Sequence, residues 1–349
     1  MINVGVIGVG YWGPNLVRNF DKIESCRMSA VADSQSDRLT LIKQQYPKIK
    51  VSVDYLDLMN DPNVHAIVIA TPLSTHFEIA KQALMKGKHV FVEKPLTRTT
   101  QEALELIKLS EDQGKVLMVD HTFVYNNAIR KMKEIIDSGG IGDIYYIDST
   151  RAHWDFGIFR HQNNVIWDLA PHDFSIVNFL TQQEPSSLTA TGICCKEYSG
   201  DNHIESVAYV TLNTTGGILA HFHLSWLSPL KIRRFLIVGS RKLMVFDLAD
   251  AKSPIKVYDK RIKIKNLEDA YKSLLSQDKI GEVYEPEIVQ AEPLETECRH
   301  FIDCIENNKI PLTNGREGLK VVKLLEAAQT SLLFDGKRVN IAISNEKVS

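Results

Sequence analysis

Two stretches of different grammar predict an α/β protein built in two parts, a doubly wound parallel sheet followed by a larger, mostly antiparallel one. Short β-rich runs alternate with helical patterns as far as residue 122, and longer strands without intervening helices dominate beyond it. At 349 residues the chain has about the length of two domains, each large enough to bury its own core. The expected boundary divides 1–122 from 123–349.

In the first part the β-rich runs are Asn3 to Ile7, Met28 to Ala32, Ala66 to Ala70, His89 to Val92 and Val116 to Val119. Their alternation with helical segments is the signature of βαβ units. Thr99 and Glu102 form a capping box ahead of Ala103, Leu106 and Ile107, and Ser74 or Thr75 stands where a cap is expected for the segment through Leu84. The second part begins with a helical stretch, Asn127 to Asp137, and the turn Gly139-Gly140-Ile141-Gly142. Strands follow at Ile144 to Ala152, Leu188 to Cys194, Val207 to Asn213, Ile218 to Leu227, Arg233 to Val238 and Leu243 to Asp247. Short turns such as Thr214-Thr215-Gly216-Gly217 join them in antiparallel fashion. Helices are expected at Leu294 to Glu306 and Glu317 to Leu333, while Asp259 to Gln290 is charged and weakly periodic.

Composition narrows the function classes. Apolar residues make up 44% and charged residues 24%, as in ordinary globular proteins. Lys and Arg total 41 against 43 for Asp and Glu, so a net charge of −2 offers no field to attract nucleic acid. No run approaches 18 apolar residues, and the first strand lacks a basic leader, so a cytoplasmic protein without membrane association is expected. Five cysteines without CxxC spacing argue against a disulfide framework or zinc site. His221 and His223 share one strand face, but no third ligand accompanies them, which leaves a polar sheet face or subunit contact and no metal.

A cofactor signal opens the chain. Val4-Gly5-Val6-Ile7-Gly8-Val9-Gly10-Tyr11-Trp12-Gly13 sets GxGxxG directly after a strand. Gly8 permits the tight turn, Gly10 lets the backbone approach a pyrophosphate, and Gly13 lets helix pack on strand. Pro14 suits a first helical turn. Asp33, 20 residues past Gly13, can accept both ribose hydroxyls of an adenosine and would repel a 2′-phosphate. With Arg38 the nearest arginine, the reading is NAD.

Chemical groups gather at predicted strand ends, where open α/β sheets bind ligands. Thr71-Pro72, with His76, follows one strand, and Glu93-Lys94-Pro95 follows the next. Asp168 and His172 are four residues apart, on one helix face if the first turn includes Pro171. A histidine to take a hydroxyl proton, a lysine to stabilise charge on that oxygen and a carboxylate are what oxidation of a secondary alcohol requires. Arg151, His153, Trp154, Arg160 and His161 are expected on a loop before this helix, where arginine suits a diphosphate and tryptophan stacks on a base or sugar.

This ordered set resembles the Gfo/Idh/MocA oxidoreductases over nearly the whole chain. The resemblance implies an N-terminal Rossmann domain that binds NAD and a C-terminal α/β domain with a large, mostly antiparallel sheet that binds substrate and mediates homodimers or homotetramers. Lys94 would be the EKP lysine, His172 the proton-transferring base and Asp168 its orienting partner. Cofactor would be held by Gly8, Gly10, Tyr11, Trp12, Gly13, Asp33, Thr71, Pro72, His76, Glu93, Lys94 and His121. Substrate would meet Lys94, Arg151, Trp154, Arg160, Asp168 and His172. Asn163 to Trp167 replaces a glycine-rich stretch, and Ala170 replaces a motif glycine. The segments Gly10 to Phe20 and Trp167 to Asp173 look most like members that oxidise C3 of nucleotide-linked N-acetylamino sugars such as UDP-N-acetylglucosamine, in lipopolysaccharide sugar synthesis. A free-sugar or inositol dehydrogenase, a ketosugar reductase and a non-catalytic NAD sensor are the alternatives.

Overall fold

The computed structural model describes residues 1–154, 163–195, 204–259 and 282–341. The chain packs as two compact units, Met1–Asn126 with Ala291–Glu326, and Asn127–Gln290 with Ala327–Ser349.

The first unit is a six-stranded parallel sheet of β1 (Ile2–Ile7), β2 (Cys26–Ala32), β3 (Lys50–Ser52), β4 (Ala66–Ile69), β5 (His89–Glu93) and β6 (Leu117–Asp120). Its order, β3-β2-β1-β4-β5-β6, is the doubly wound arrangement with its switch point between β1 and β4. Only β3 has no counterpart in the sequence reading; it is three residues long and carries no run of apolar side chains. Crossovers run through α1 (Gly13–Asp21), α2 (Ser36–Gln45), α3 (Leu56–Asn60), α4 (Leu73–Met85) and α5 (Thr100–Asp112). The Thr99/Glu102 capping box is present at α5. Ser74 and Thr75 do not cap α4: Pro72 occupies that position, and the Thr75 hydroxyl donates to the Pro72 carbonyl at 2.8 Å.

The first unit also takes α8 (Pro293–Glu306) and most of α9 (Gly315–Leu333), which the expected boundary at residue 122 assigns to the second part. The cause is packing. Phe301 of α8 completes an edge-to-face trio with Phe20 and Phe91, at centroid separations of 6.2 and 5.5 Å. Thr313 then exchanges hydrogen bonds with Val119, its hydroxyl donating at 2.7 Å and its carbonyl accepting at 2.8 Å.

The second unit starts with α6 (Asn127–Asp137) and holds a nine-stranded mixed sheet. Its strands are β7 (Ile144–Trp154), β8 (Pro185–Ile193), β9 (Val207–Thr214), β10 (Leu219–Ser225), β11 (Leu227–Gly239), β12 (Lys242–Asp247), β13 (Ile255–Asp259), β14 (Val283–Tyr284) and β15 (Val339–Asn340). All pairs are antiparallel except β7 with β10. Between β7 and β8 runs α7 (Val165–Thr181), which packs on one sheet face, with Phe174 edge-on to Phe222 at 5.1 Å. Side chains of opposite parity, including Tyr146, Tyr209 and Leu219, point the other way and are 38%, 46% and 44% exposed. Cys194, expected as the last residue of a strand, lies just beyond the end of β8.

Candidate active site

The three glycines of the first turn do separate jobs. Gly8 has φ +90°, and a Cβ there would sit 2.6 Å from the Ala70 carbonyl oxygen. A Cβ on Gly13 would lie 2.1 Å from the Gly8 oxygen, so α1 can begin only on a residue without a side chain. Gly10 meets nothing closer than the Arg38 guanidinium at 3.6 Å, which leaves its backbone approachable. No side chain caps α1, and Pro14 stands in its first turn. Backbone N–H groups at that terminus are therefore available to an anion.

Asp33 is buried and fixed. Its Oδ2 accepts from the Val9 N–H and its Oδ1 from the Gln35 N–H, both at 2.8 Å, while Arg38 approaches Oδ2 at 3.4 Å. A carboxylate has about four acceptor positions, so capacity for two hydroxyls remains. Tyr11 projects from the glycine turn with 73% exposure. Trp12 turns inward, its Nε1–H donating to Asp120 Oδ2 at 3.1 Å.

The other strand-end residues divide into two kinds. His76 is buried, with Nδ1 2.9 Å from the Pro95 carbonyl and Nε2 2.9 Å from the Thr71 carbonyl. Burial lowers its pKa against those two carbonyls, so the neutral ring donates to one of them. His76 thus ties the Thr71-Pro72 turn to the Lys94-Pro95 turn, with both ring nitrogens on backbone carbonyls. Glu93 is different. Its Oε1 is buried without a donor, and burial, followed by the negative charge of Asp120, pushes its carboxyl well above the usual range. His121 is 1% exposed with both ring nitrogens unsatisfied, and its pKa falls to about 4, chiefly through burial. Lys94 lies close enough to disfavour protonation of both His76 and His121.

In the second unit, the Asn164 side chain caps α7, accepting from the N–H groups of Ile166 and Trp167 at 3.2 and 3.3 Å. The helix therefore begins earlier than the reading that put Pro171 in its first turn, and Pro171 lies inside it. Asp168 and His172 keep their i, i+4 relation and share a face. Trp226 Nε1–H donates to Asp168 Oδ2 at 2.9 Å, and both residues belong to this unit.

Arg151 and Trp154 are in β7 rather than on a loop. Arg151 is 2% exposed, with Nε 2.7 Å and Nη2 2.6 Å from Asp173 Oδ1, and Ser149 donates to Oδ2 at 3.0 Å. Its guanidinium is engaged by a carboxylate of α7 inside the unit. Trp154, 37% exposed, ends the strand. Arg160 and His161 lie outside the described residues. The sequence reading missed Asp120 and Glu297, two buried carboxyls of the first unit, and Trp226 of the second.

A glycine turn at a sheet's switch point with a fixed carboxylate beyond it defines a dinucleotide-binding oxidoreductase domain. The chain belongs to the Gfo/Idh/MocA family: residues 2–121 match "Oxidoreductase family, NAD-binding Rossmann fold" and 129–245 match "GFO/IDH/MocA C-terminal domain". Uncharacterized oxidoreductase YrbE of Bacillus subtilis is 24% identical over 95% of both chains. Myo-inositol 2-dehydrogenase of Thermotoga maritima is 26% identical over 62% of this chain and 66% of its own. The solved UDP-N-acetylglucosamine 3-dehydrogenase GnnA from Acidithiobacillus ferrooxidans shares the fold, with a TM-score of 0.81 at 22% identity over 95% of this chain and 97% of its own. The cofactor is NAD, and the open turn at Gly10, the uncapped α1 and the buried Asp33 carboxylate fit it.

Proposed function

We propose that this protein is an NAD-dependent dehydrogenase of a secondary hydroxyl on a sugar, the C3 hydroxyl of a nucleotide-linked N-acetylamino sugar such as UDP-N-acetylglucosamine. The observation that carries the reading is the Asp168/His172 face of α7, with Asp168 pinned by Trp226, in a chain whose NAD-binding domain presents Lys94 at a strand end. Bound NAD supplies the hydride acceptor. His172 takes the hydroxyl proton, Asp168 orients the imidazole or the hydroxyl, and the Lys94 ammonium stabilises negative charge on the alcohol oxygen. Relatives named as dehydrogenases of UDP-N-acetylglucosamine and of myo-inositol support oxidation of a ring alcohol.

The same reading makes the protein a homodimer or homotetramer, associating through the sheet face opposite α7. There Tyr209 stacks on His223 at 4.7 Å and on His221 at 5.8 Å, forming an aromatic surface between exposed neighbours. Among the described residues no helix is long and apolar enough to cross a membrane. A soluble substrate of surface-polysaccharide synthesis in the cytoplasm suits this proposal.

The test is absorbance at the reduced-nicotinamide band with NAD and a panel of UDP-sugars, free hexoses and inositols, with and without 2-oxoglutarate to regenerate retained cofactor. Turnover confined to UDP-N-acetylamino sugars supports the proposal. Turnover of free polyols moves the protein to the inositol branch, and silence with tight NAD binding refutes dehydrogenation of this panel. Lys94→Ala and His172→Ala should each lower turnover roughly 100-fold or more while NAD affinity stays within about threefold. Near-normal turnover in either variant removes that residue from the mechanism.

A further inference from the structure

Apart from Asp33, three carboxyl groups of the first unit lie within electrostatic reach of one another. Asp120 ends β6 and is 1% exposed, Glu93 lies opposite it in register at the end of β5, and Glu297 of α8 is fully buried. Asp120 already accepts three hydrogen bonds, from Trp12 Nε1–H at 3.1 Å, from the Thr122 N–H at 3.2 Å and from the Thr122 hydroxyl. Both Glu297 oxygens are buried with no donor in hydrogen-bonding geometry. Ionised, Glu297 would set a second negative charge against Asp120 in a site that offers it no solvent. Burial, then the negative charge of Asp120, push the Glu297 carboxyl well above its ordinary value of 4.5. A neutral carboxyl is a donor, and Asp120 is the acceptor it faces.

We propose that Glu297 is a positioning residue for the dinucleotide turn: carrying its proton, it donates to Asp120, which holds the Trp12 indole and with it the start of α1. The inference concerns the NAD-binding domain and is independent of which alcohol is oxidised. Chain distance matters here. Trp12 and Asp120 are 108 positions apart, and Glu297 reaches them only because α8 packs on α1 and on the short turn Thr122–Tyr125.

Other charged and titratable groups face this cluster. Glu93 comes from β5, Lys94 and His121 from the neighbouring strand ends and Cys298 from α8 itself, where Cys298 in turn has Cys26 of β2 and Glu292 for neighbours. A pH response of the wild type alone would mix all of these. Glu297→Gln isolates one of them, because it keeps a donor and removes the ionisation.

The sign of the linkage is fixed. A folded-state pKa above the unfolded value of 4.5 means that stability is fully present below that pH and is lost as pH rises towards the folded pKa. The urea midpoint of Glu297→Gln should therefore gain on that of the wild type as pH is raised from about 5 to about 8. Protein labelled with 5-fluorotryptophan and free of NAD gives the positional readout, with the Trp12 fluorine resonance assigned through Trp12→Phe. Glu297→Gln should keep this resonance in its wild-type place and hold the NAD dissociation constant within about twofold, whereas Glu297→Met should move the resonance and raise that constant roughly tenfold. The proposal is overturned if Gln and Met behave alike, if the gap in urea midpoint does not change with pH, or if Met leaves Trp12 and NAD affinity untouched. Should Glu297→Met fail to fold, the comparison of Glu297→Gln with wild type still decides, since a displaced Trp12 resonance or a constant gap refutes it.

Discussion

Gly13→Ala and Gly10→Ala differ in sequence by three positions and should fail in different ways. At Gly13 the added Cβ would stand 2.1 Å from the Gly8 oxygen and 3.0 Å from its carbonyl carbon. Carbon and oxygen need about 3.2 Å, so backbone must move by roughly 1 Å, and Gly8 is itself held at φ +90° against Ala70. Forcing an atom into packed surroundings costs about 1–3 kcal/mol, and the backbone nature of this clash sets the upper end as the expectation. At Gly10 the nearest atom is the Arg38 guanidinium, the far end of a long side chain, at 3.6 Å, an ordinary contact, so Ala there should leave folding intact. Its methyl group instead occupies the face that the pyrophosphate must approach. Urea denaturation followed by tryptophan fluorescence, with an NAD titration on each protein, separates the two. Gly13→Ala should lose about 3 kcal/mol of stability, and Gly10→Ala should keep its midpoint while weakening NAD roughly tenfold or more. Wild-type stability in Gly13→Ala, or wild-type NAD affinity in Gly10→Ala, would refute the assignment of the two glycines.

Three further outcomes follow from the described contacts. Arg151→Met should cost about 3–5 kcal/mol in urea unfolding by stranding the buried Asp173 carboxylate, and Asp173→Leu added to it should recover part of that loss. His121 keeps its ring neutral down to about pH 4 against an ordinary value of 6.5, so its contribution is present above 6.5 and is lost as pH falls towards 4. The shift corresponds to about 3 kcal/mol, and His121→Gln should flatten the wild-type decline in urea midpoint between pH 7 and pH 5. Trp226→Phe removes the 2.9 Å donor to Asp168 and should lower turnover about tenfold with NAD affinity unchanged, which steady-state kinetics and a binding titration check together.

What was legible in the sequence is what is local. The glycine turn, the Asp33 carboxylate and the capping box each depend on residues a short distance apart, and all three stand where their spacing put them. Six of the nine described strands of the second unit were equally readable, because alternation such as that along β9 and β10 reports burial on one face directly, whereas β13, β14 and β15, of five residues or fewer, had no counterpart. Helix starts were less so. Asn164 is a good cap by type, but its segment read as an unusual replacement for glycines, and Pro171 drew the expected start a turn too late. The first unit's claim on α8 and α9 was hidden for another reason. An amphipathic helix announces that it has a partner, while its choice of sheet depends on Phe20 and Phe91, which lie far away in the chain.

Two charged groups stand where apolar ones belong, Arg151 read as a substrate residue and Glu297 not singled out at all, and this is itself a pattern that could have been read. In β7, Ile147, Ser149 and Arg151 share one parity and face α7, so an arginine occupies a core position and calls for a buried acid, which Asp173 supplies. In α8, Glu297 lies on the stripe of Leu294, Cys298 and Phe301, where a carboxyl has no route to water. A charge on a buried stripe costs free energy unless it is paired or neutralised, and the two cases take the two solutions. Arg151 is paired, and its role is to hold the strand to the helix that carries Asp168 and His172. Glu297 faces other carboxyls, so pairing is closed to it and only protonation remains, which turns it from a second anion into the donor that Asp120 can use.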